Sequence, residues 1–369
     1  ARLYQDGVFP TPDGRARFAA MPYVAVAEKR EPKYPFSLNT GRLRDHWHGM
    51  SRTGVLGRLF GHVPEPVIQM HPQDMARRNF KEGSLVRVSS KRGSLVVPVQ
   101  ASAELGLSQT FMAMHWGSEY LSGQDAQGMP LGGVNALTSP EVCPSSHQPE
   151  LKHAAIKVEA IDLPWSLMAM AWLPSSSVWQ VQSQLRPLMS RFDFASCVPF
   201  GRERTGLMLR VGNAQAADAV LIDEIEQALG LASSTALRYV DPQRGQRRCA
   251  QLDTSLDSNS SVLQGFLLAG DTQSATWMST MLTQQIPAQV PAQTFRRQLL
   301  MPGGSPPAAM PESMHLASQQ ICNCLDVSAS AIKEHLVSCK GSPQDRLTSL
   351  QQQLGCGTQC GSCVPELKR

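Results

Sequence analysis

The sequence predicts a mixed α/β, multi-domain chain in which a closed β-barrel is followed by a small α+β module and a small helical domain. Three observations predict this order. Short alternating strands dominate residues 34–160, and helical and strand patterns mix over residues 161–301. Two close cysteine pairs then flank two helical stretches in residues 321–369. A chain of 369 residues is long enough for two or three domains with ordinary cores.

Composition excludes several classes of function. The formal net charge is +4, and the chain has no basic tract of the kind that binds nucleic acid. No apolar run approaches the roughly eighteen residues that a membrane span needs. The chain begins with Ala1 in polar, turn-rich sequence, so we expect residues 1–33 to be the end of a preceding domain in a longer protein. Thiol-rich motifs without an export signal favour the cytoplasm.

The barrel is predicted from its strands and turns. Residues 35–41 (PFSLNTG) read as a buried strand that ends at a glycine, and residues 110–115 read as another strand. Residues 84–89 and 94–99 alternate around Lys-Arg-Gly, which predicts a hairpin. His71-Pro72 starts a short helix. Several short strands with turn signals between them favour a closed barrel.

Polar residues follow two of these strands. Asn39-Thr40-Gly41-Arg42 ends the first strand, and His115 ends the later one. A glycine turn after a strand exposes backbone N–H groups, and Thr, Arg and His add side-chain donors around it. By itself such a glycine turn is more typical of a purely structural turn.

The segments LNTGRLRDHWH, MHPQDM, GSLVRVSSKRG, MHWG, GVNALT and SHQPELKHAAIKVE together resemble the C-terminal domain of the molybdopterin-guanine-dinucleotide oxidoreductases, the superfamily of nitrate reductases and formate dehydrogenases. The resemblance implies a double-psi β-barrel that covers the two pterin dinucleotides of a molybdenum bis(molybdopterin guanine dinucleotide) cofactor. It implies cofactor-binding roles for Asn39, Thr40, Gly41, Arg42, His48, Ser51, His115, Asn135, Gln148 and Lys152. His46 and Trp47 are equally well explained as packing residues.

The middle of the chain predicts a fold but no function. Residues 163–174 (LPWSLMAMAWLP) read as a connector or short apolar helix, and residues 207–212 as a strand. Residues 216–229 have helical periodicity, with an acidic run that we interpret as a solvated helix face. A small antiparallel sheet and a helix at residues 272–284 complete the module. Residues 302–320, rich in Pro and Ser, read as a linker.

Two thiol pairs, Cys322-Asn-Cys324 and Cys360-Gly-Ser-Cys363, can converge when the intervening chain folds back. A site of four thiolates suits an iron–sulfur cluster or zinc. Disulfides within Cys-x-Cys are disfavoured, because neighbouring extended residues point to opposite faces. Ser328 and Ser342 are placed to cap two short helices between the pairs. Glycines around the second pair let backbone N–H groups turn toward sulfur.

The segments ICNCLDVSASAIKEHL and GCGTQCGSCVPEL resemble the bacterioferritin-associated ferredoxin family of [2Fe-2S] domains. The resemblance implies that Cys322, Cys324, Cys360 and Cys363 ligate the cluster, whereas Cys356 does not fall on a ligand position. A zinc site remains the alternative.

The pairing of a pterin-dinucleotide barrel with a [2Fe-2S] tail is similar to the catalytic subunit of bacterial assimilatory nitrate reductases. That similarity implies reduction of nitrate to nitrite in the cytoplasm, with electrons delivered by a reductase subunit or a ferredoxin- or flavodoxin-like protein. We expect a [4Fe-4S] cluster and the molybdenum ligand only in an N-terminal part that this chain lacks, so no catalytic residue is assigned and the segment alone should be inactive. The alternatives are another pterin oxidoreductase such as formate dehydrogenase, a non-catalytic iron–sulfur electron-transfer module, and a zinc-stabilised interaction protein.

Overall fold

The computed structural model describes residues 2–20, 22–150, 152–253, 261–286, 291–306 and 318–368. The strands are β1 Phe36–Gly41, β2 Ile68–Met70, β3 Leu85–Ser89, β4 Gly93–Ala101, β5 Gln109–Ala113, β6 Gln124–Asp125, β7 Ala154–Ala160, β8 Trp165–Leu173, β9 Phe194–Phe200, β10 Thr205–Asn213, β11 Leu237–Asp241, β12 Gln246–Asp253, β13 Val262–Ala269, β14 Gln320–Cys322 and β15 Val327–Ser328. The α-helices are α1 Pro72–Arg77, α2 Val178–Met189, α3 Ala219–Ala228, α4 Ala275–Thr283, α5 Ala292–Leu300, α6 Ala329–Ser338, α7 Pro343–Gln353 and α8 Val364–Leu367. Every helix in the described ranges is too short or too polar to span a lipid bilayer.

Six strands close the N-terminal barrel in the order β2-β5-β1-β7-β3-β4, and a further β2–β4 pairing completes the ring. The β1–β5 and β2–β4 pairings are parallel, and the others are antiparallel. Inward side chains such as Leu38, Val97 and Met112 are fully buried and form the barrel core. The predicted closed barrel, its β3–β4 hairpin and the short helix after His71 are therefore confirmed.

The middle module is an antiparallel sheet in the order β11-β12-β13-β8-β10-β9. Helices α2 and α3 pack on one face of this sheet, and α4 and α5 pack on the other. An α+β module was expected, and the predicted helix near residues 272–284 is α4.

The interpretation of residues 163–174 as a connector or short apolar helix is wrong. These residues form β8, the strand between β13 and β10. Its odd-numbered side chains from Trp165 to Ala171 pack toward α2 and α3, whereas Met168, Met170 and Trp172 pack toward α4 and α5. Because helices cover both faces, the strand carries almost no polar residues, and the alternation that would identify a strand disappears.

The interpretation of the acidic run on α3 as a solvated face is wrong for one residue. Asp218 caps the helix through the Val220 amide, but Glu226 is only 1% exposed. Its carboxylate pairs with Arg238 and Arg247, which lie on β11 and β12. The helix is therefore fastened to the sheet by a buried ion pair.

The C-terminal domain contains β14, β15 and three short helices. Ser328 caps α6 through the Ala331 amide, as predicted. Ser342 forms a capping box with Asp345 at the start of α7, whose Leu347 and Leu350 are buried. Most of the predicted linker, residues 307–317, lies outside the described residues.

Candidate cofactor sites

The first site lies where the parallel strands β1 and β5 end. Gly41 is the register partner of Ala113, and the Met114 amide donates to the Gly41 carbonyl over 2.8 Å. A side chain at residue 41 would approach the Phe111 ring to 2.8 Å, so the close packing of the two strands requires glycine. Arg42 and His115 therefore leave the barrel from neighbouring strand ends, although 73 residues separate them in the sequence.

His115 is 3% exposed, and neither of its ring nitrogens has a hydrogen-bond partner among the described residues. Burial lowers the pKa of His115, and the nearby charges of His48 and Arg42 lower it further. The imidazole is therefore neutral at pH 7, with one ring nitrogen able to donate a hydrogen bond and the other able to accept one.

His46, which the sequence explains equally well as a packing residue, lies beside this group. Its Nδ1 is 3.1 Å from Thr53 Oγ1, and its ring lies 6.1 Å from the His115 ring between centroids. Its Nε2 is buried, and the ring also interacts with the Leu59 backbone. Burial lowers the pKa of His46 to about 4, and repulsion from His115 adds to the shift. We call Arg42, His46, His48 and His115 the histidine pocket.

The remaining predicted residues differ in their relation to the pocket. The Val134 amide donates to the Trp116 carbonyl over 3.0 Å, which holds the turn of Asn135 beside the segment that follows His115. Thr40 is buried in β1, Asn39 is exposed on the same strand, and Ser51 Oγ donates to the His48 carbonyl over 3.4 Å. Gln148 and Lys152 are exposed, and the hydrogen bonds of Gln148 stay within its own turn. No contact in the described structure joins these two residues to the pocket.

The residues of the histidine pocket fit a pterin dinucleotide. Pterin and guanine edges need paired donors and acceptors, and pyrophosphates need cations and N–H groups. Among the described residues, neither of the two buried ring nitrogens of His115 has a protein partner, and they lie next to the exposed guanidinium of Arg42. Unsatisfied buried polar atoms are rare in folded proteins and call for a partner.

The second site is formed by the two cysteine motifs. Cys324 Sγ lies 3.1 Å from Cys360 Sγ, and Cys322 and Cys363 are buried in one apolar cluster. The two motifs are therefore neighbours in the folded chain. Cys322 and Cys363 are buried, whereas Cys360 is exposed. We call these four residues the cysteine centre.

The cysteine centre has the donor set of a [2Fe-2S] site, because such clusters take four thiolates, two on each iron. All nine cysteines of the described chain are free thiols. No three His, Cys, Asp or Glu side chains among the described residues are grouped to hold one metal ion. Burial raises the pKa of Cys363 to about 12, and the neighbouring Cys322 contributes to that shift.

Cys356 is a fifth thiol close to the cysteine centre. It is fully buried in the same apolar cluster as Cys322 and Cys363. Burial raises the pKa of Cys356, and Cys322 raises it further. Gly355, Gly357 and Gly361, on either side of it, all have positive φ, so the predicted glycine turns around the second motif are present.

The cysteine domain docks onto the rest of the chain through the loop between β14 and β15 and through α8. Asn323, between the two thiols of the first motif, donates to Asp45 Oδ2 over 2.9 Å and to the Leu59 carbonyl over 3.2 Å. Glu366 on α8 pairs with Arg44 and lies 3.1 Å from His62 Nε2. These contacts could not be predicted from the sequence, because they join segments far apart in the chain.

Comparison with known families gives a match over the barrel. Residues 36–155 match the family of the Molydopterin dinucleotide binding domain. This result agrees with the pterin-binding barrel expected at residues 34–160.

The chain is also similar to nitrate reductases. It is 29% identical to the nitrate reductase of Klebsiella oxytoca over 368 residues, which cover 96% of this chain and 36% of that protein. It is 38% identical to that of Synechocystis sp. over 160 residues, covering 43% of this chain and 21% of the relative. With that of Shewanella frigidimarina it shares 24% identity over 406 residues, covering all of this chain and 37% of the relative. The chain thus spans about a third or less of the length of these curated relatives.

Among solved structures, the chain is similar to acetylene hydratase from Pelobacter acetylenicus. The sequence identity is 18%, the match covers 35% of this chain and 18% of that chain, and the TM-score of 0.29 is too low to establish a common fold.

Proposed function

We propose that this chain is the C-terminal part of a molybdenum oxidoreductase that reduces nitrate to nitrite. The observation that carries the proposal is the extent of the similarity to nitrate reductases. The match with the Shewanella frigidimarina protein covers the whole chain, and therefore includes the middle module and the cysteine centre as well as the barrel. The reaction is NO3− + 2H+ + 2e− → NO2− + H2O.

In this proposal the barrel, which we take to have double-psi topology, holds the molybdopterin guanine dinucleotide. The bound molybdenum cofactor supplies the chemistry of oxygen-atom transfer. His46 and His115 would offer neutral donors and acceptors to its heterocycles, and Arg42 would offer a cation to its pyrophosphate. Burial of the two imidazoles excludes water from this part of the contact.

The cysteine centre would hold a [2Fe-2S] cluster through which electrons enter. The exposed Cys360 and the partly exposed Cys324 lie on the solvent side, where a donor protein can approach. We propose that the donor is a reductase subunit or a ferredoxin- or flavodoxin-like protein. A [4Fe-4S] cluster and the molybdenum ligand would belong to the N-terminal part of the full-length enzyme, and the enzyme would be assimilatory and cytoplasmic.

The test is an activity assay on the full-length protein purified anaerobically after expression with the molybdenum cofactor pathway. Viologen chemically reduced to its radical should be oxidised on addition of nitrate, with one nitrite formed per two viologens. Formate with oxidised viologen is the matched assay for the alternative substrate class. Reduction by formate without any nitrate-dependent oxidation would overturn the proposal.

A further inference from the structure

An arginine of the middle module binds the main chain between the first two thiols. Arg202 follows β9, and its Nη1 donates to the Asn323 carbonyl over 2.8 Å while its Nη2 donates to the Cys324 carbonyl over 2.7 Å. The planar guanidinium is suited to two parallel hydrogen bonds of this kind. The Cys322-x-Cys324 loop is therefore held by a domain to which it does not belong.

A second arginine, from the loop that follows β1 of the barrel, binds the main chain immediately before the same loop. Arg44 Nη2 donates to the Ile321 carbonyl over 2.6 Å, immediately before Cys322. The same guanidinium pairs with Asp45 and with Glu366 of α8, and its side chain is only 18% exposed. Three carbonyl groups within residues 321–324 thus accept hydrogen bonds from two cations.

Glycines allow the surrounding segments to approach closely enough for these contacts. Gly201 has φ +95°, and a Cβ there would lie 2.3 Å from the Trp172 ring, so the turn that presents Arg202 needs glycine. The 3-10 helix Gly57–Phe60 packs closely on Phe200, the residue before Gly201. A Cβ on Gly57 would lie only 2.3 Å from the Phe200 carbonyl oxygen. A Cβ on Gly61 would lie 3.0 Å from Asn323 Oδ1. Barrel, module and cysteine loop therefore meet at this helix.

We propose that Arg202 and Arg44 are positioning residues that fix the cysteine loop and raise the reduction potential of the cluster in the cysteine centre. This inference rests on the [2Fe-2S] centre proposed above. Reduction adds one negative charge to the cluster, and a cation bound to the loop that carries its ligands stabilises the reduced form more than the oxidised form.

The charges that face the loop decide the direction of the effect. Arg44 and Arg202 are opposed by Asp45 and Glu366, and by Asp326, which lies 3.7 Å from Arg202 Nη1. The three carboxylates already outnumber the two guanidinium groups by one, and loss of one guanidinium raises this excess to two, so the cluster becomes harder to reduce. Electron entry is thus adjusted by residues of the two domains on which the cysteine domain docks.

The test compares three variants of the whole chain in a redox titration followed by the EPR signal of the reduced cluster. Arg202→Gln removes the charge, Arg202→Lys keeps the charge without the planar fork, and Arg204→Gln is the matched control. Arg204 lies two residues away and is bound to Gln264 instead of the loop. We expect Arg202→Gln to lower the equilibrium constant for one-electron reduction about tenfold, which is about 59 mV. Arg202→Lys should keep most of the wild-type value, and Arg204→Gln should keep all of it.

The outcomes separate this inference from the proposed centre. A wild-type chain that carries iron and sulfide at full content but no [2Fe-2S] signal, or no iron at all, overturns the centre itself. A full cluster at unchanged potential in Arg202→Gln overturns the role of the arginine, as does an equal shift in Arg204→Gln. Loss of the cluster from Arg202→Gln while Arg204→Gln retains it supports the positioning role, and loss from both overturns it.

Discussion

Asn323 Nδ2 lies 2.9 Å from Asp45 Oδ2, although 278 residues separate them in the chain. Asn323 is the residue between the first two thiols of the cysteine centre, and Asp45 immediately precedes His46 of the histidine pocket. The Leu59 carbonyl, to which Asn323 also donates, belongs to the 3-10 helix whose Phe60 packs edge-on against His46. The two candidate sites are therefore neighbours that share a wall made of residues 45–60.

Replacing Cys360 by Ser should abolish the [2Fe-2S] EPR signal and the visible absorption of the anaerobically purified chain. Serine keeps the shape of the side chain but removes a soft thiolate ligand. The matched control is Cys143→Ser, since Cys143 is also exposed and lies in the barrel domain. An unchanged spectrum in Cys360→Ser would show that the ligand set is wrong. A colourless wild-type protein with stoichiometric zinc would favour the zinc alternative.

Replacing Arg42 by Ala in the full-length enzyme should weaken retention of the pterin dinucleotide about tenfold or more, because a hydrogen bond to a charged group contributes roughly 1.5–3 kcal/mol. The measurement is the molybdenum content after gel filtration. Arg77→Ala is the control, since Arg77 is exposed on α1 and its ion pair with Asp74 spans 3.9 Å. Full molybdenum occupancy in Arg42→Ala would remove this residue from the cofactor contacts.

The pH dependence of barrel stability should contain a contribution from His46. Its pKa is about 4 in the folded protein and 6.5 in the unfolded chain, so the unfolded state binds more protons between these values. The contribution is present above pH 6.5 and is lost as the pH falls toward 4, to a total of roughly 3 kcal/mol. Urea unfolding of the wild type at several pH values should show this slope.

The slope of the unfolding free energy against pH should be smaller in His46→Gln, because glutamine cannot take up a proton. His147→Asn is the control, because His147 is exposed on a turn with φ +54° that Asn tolerates. Equal slopes in the wild type and His46→Gln, after subtraction of any constant loss of stability, would contradict the assignment.

Replacing Glu226 by Ala should lower the free energy of unfolding of the middle module by about 3 kcal/mol, because Arg247 then loses a buried partner. The Arg238 side chain is a third exposed and can be hydrated after the substitution, so the loss of unfolding free energy should lie at the lower end of the range for broken buried ion pairs. Glu224→Ala is the control on the same helix, where an exposed pair with Arg191 spans 3.8 Å and should contribute less than about 1 kcal/mol. Similar losses in both variants, measured by urea denaturation, would show that the burial of Glu226 is unimportant.

The features predicted correctly from the sequence are those encoded locally. The β3–β4 hairpin follows from alternation on both sides of a turn, and the caps of α6 and α7 follow from Ser328 and Ser342. Closure of the barrel was predictable from the number and spacing of short strands. The contact between Cys324 and Cys360 likewise needed only the short, helical chain between the two motifs.

Features that depend on contacts between distant segments could not be predicted. The strand β8 lacks the alternation of polar and apolar residues that identifies a strand, because helices cover both faces of its sheet. The burial of Glu226 depends on two arginines of later strands. His46 carries no motif of its own, and its place beside His115 follows from the folding of residues 42–60 over the barrel. Arg202 lies in the loop between β9 and β10, and its hydrogen bonds to the Asn323 and Cys324 carbonyls form only where the cysteine domain packs against this loop.

The anchoring of the Cys322-x-Cys324 loop by Arg44 and Arg202 bears on how such proteins can be recombined. A terminal redox domain is often treated as a cassette that can be moved between hosts. Here the cysteine loop is held in place by hydrogen bonds from one residue of the barrel, Arg44, and one of the middle module, Arg202. With the [2Fe-2S] centre that we propose, a transplanted cysteine domain would keep its native reduction potential only in a recipient that supplies both guanidinium groups at the new contact surface.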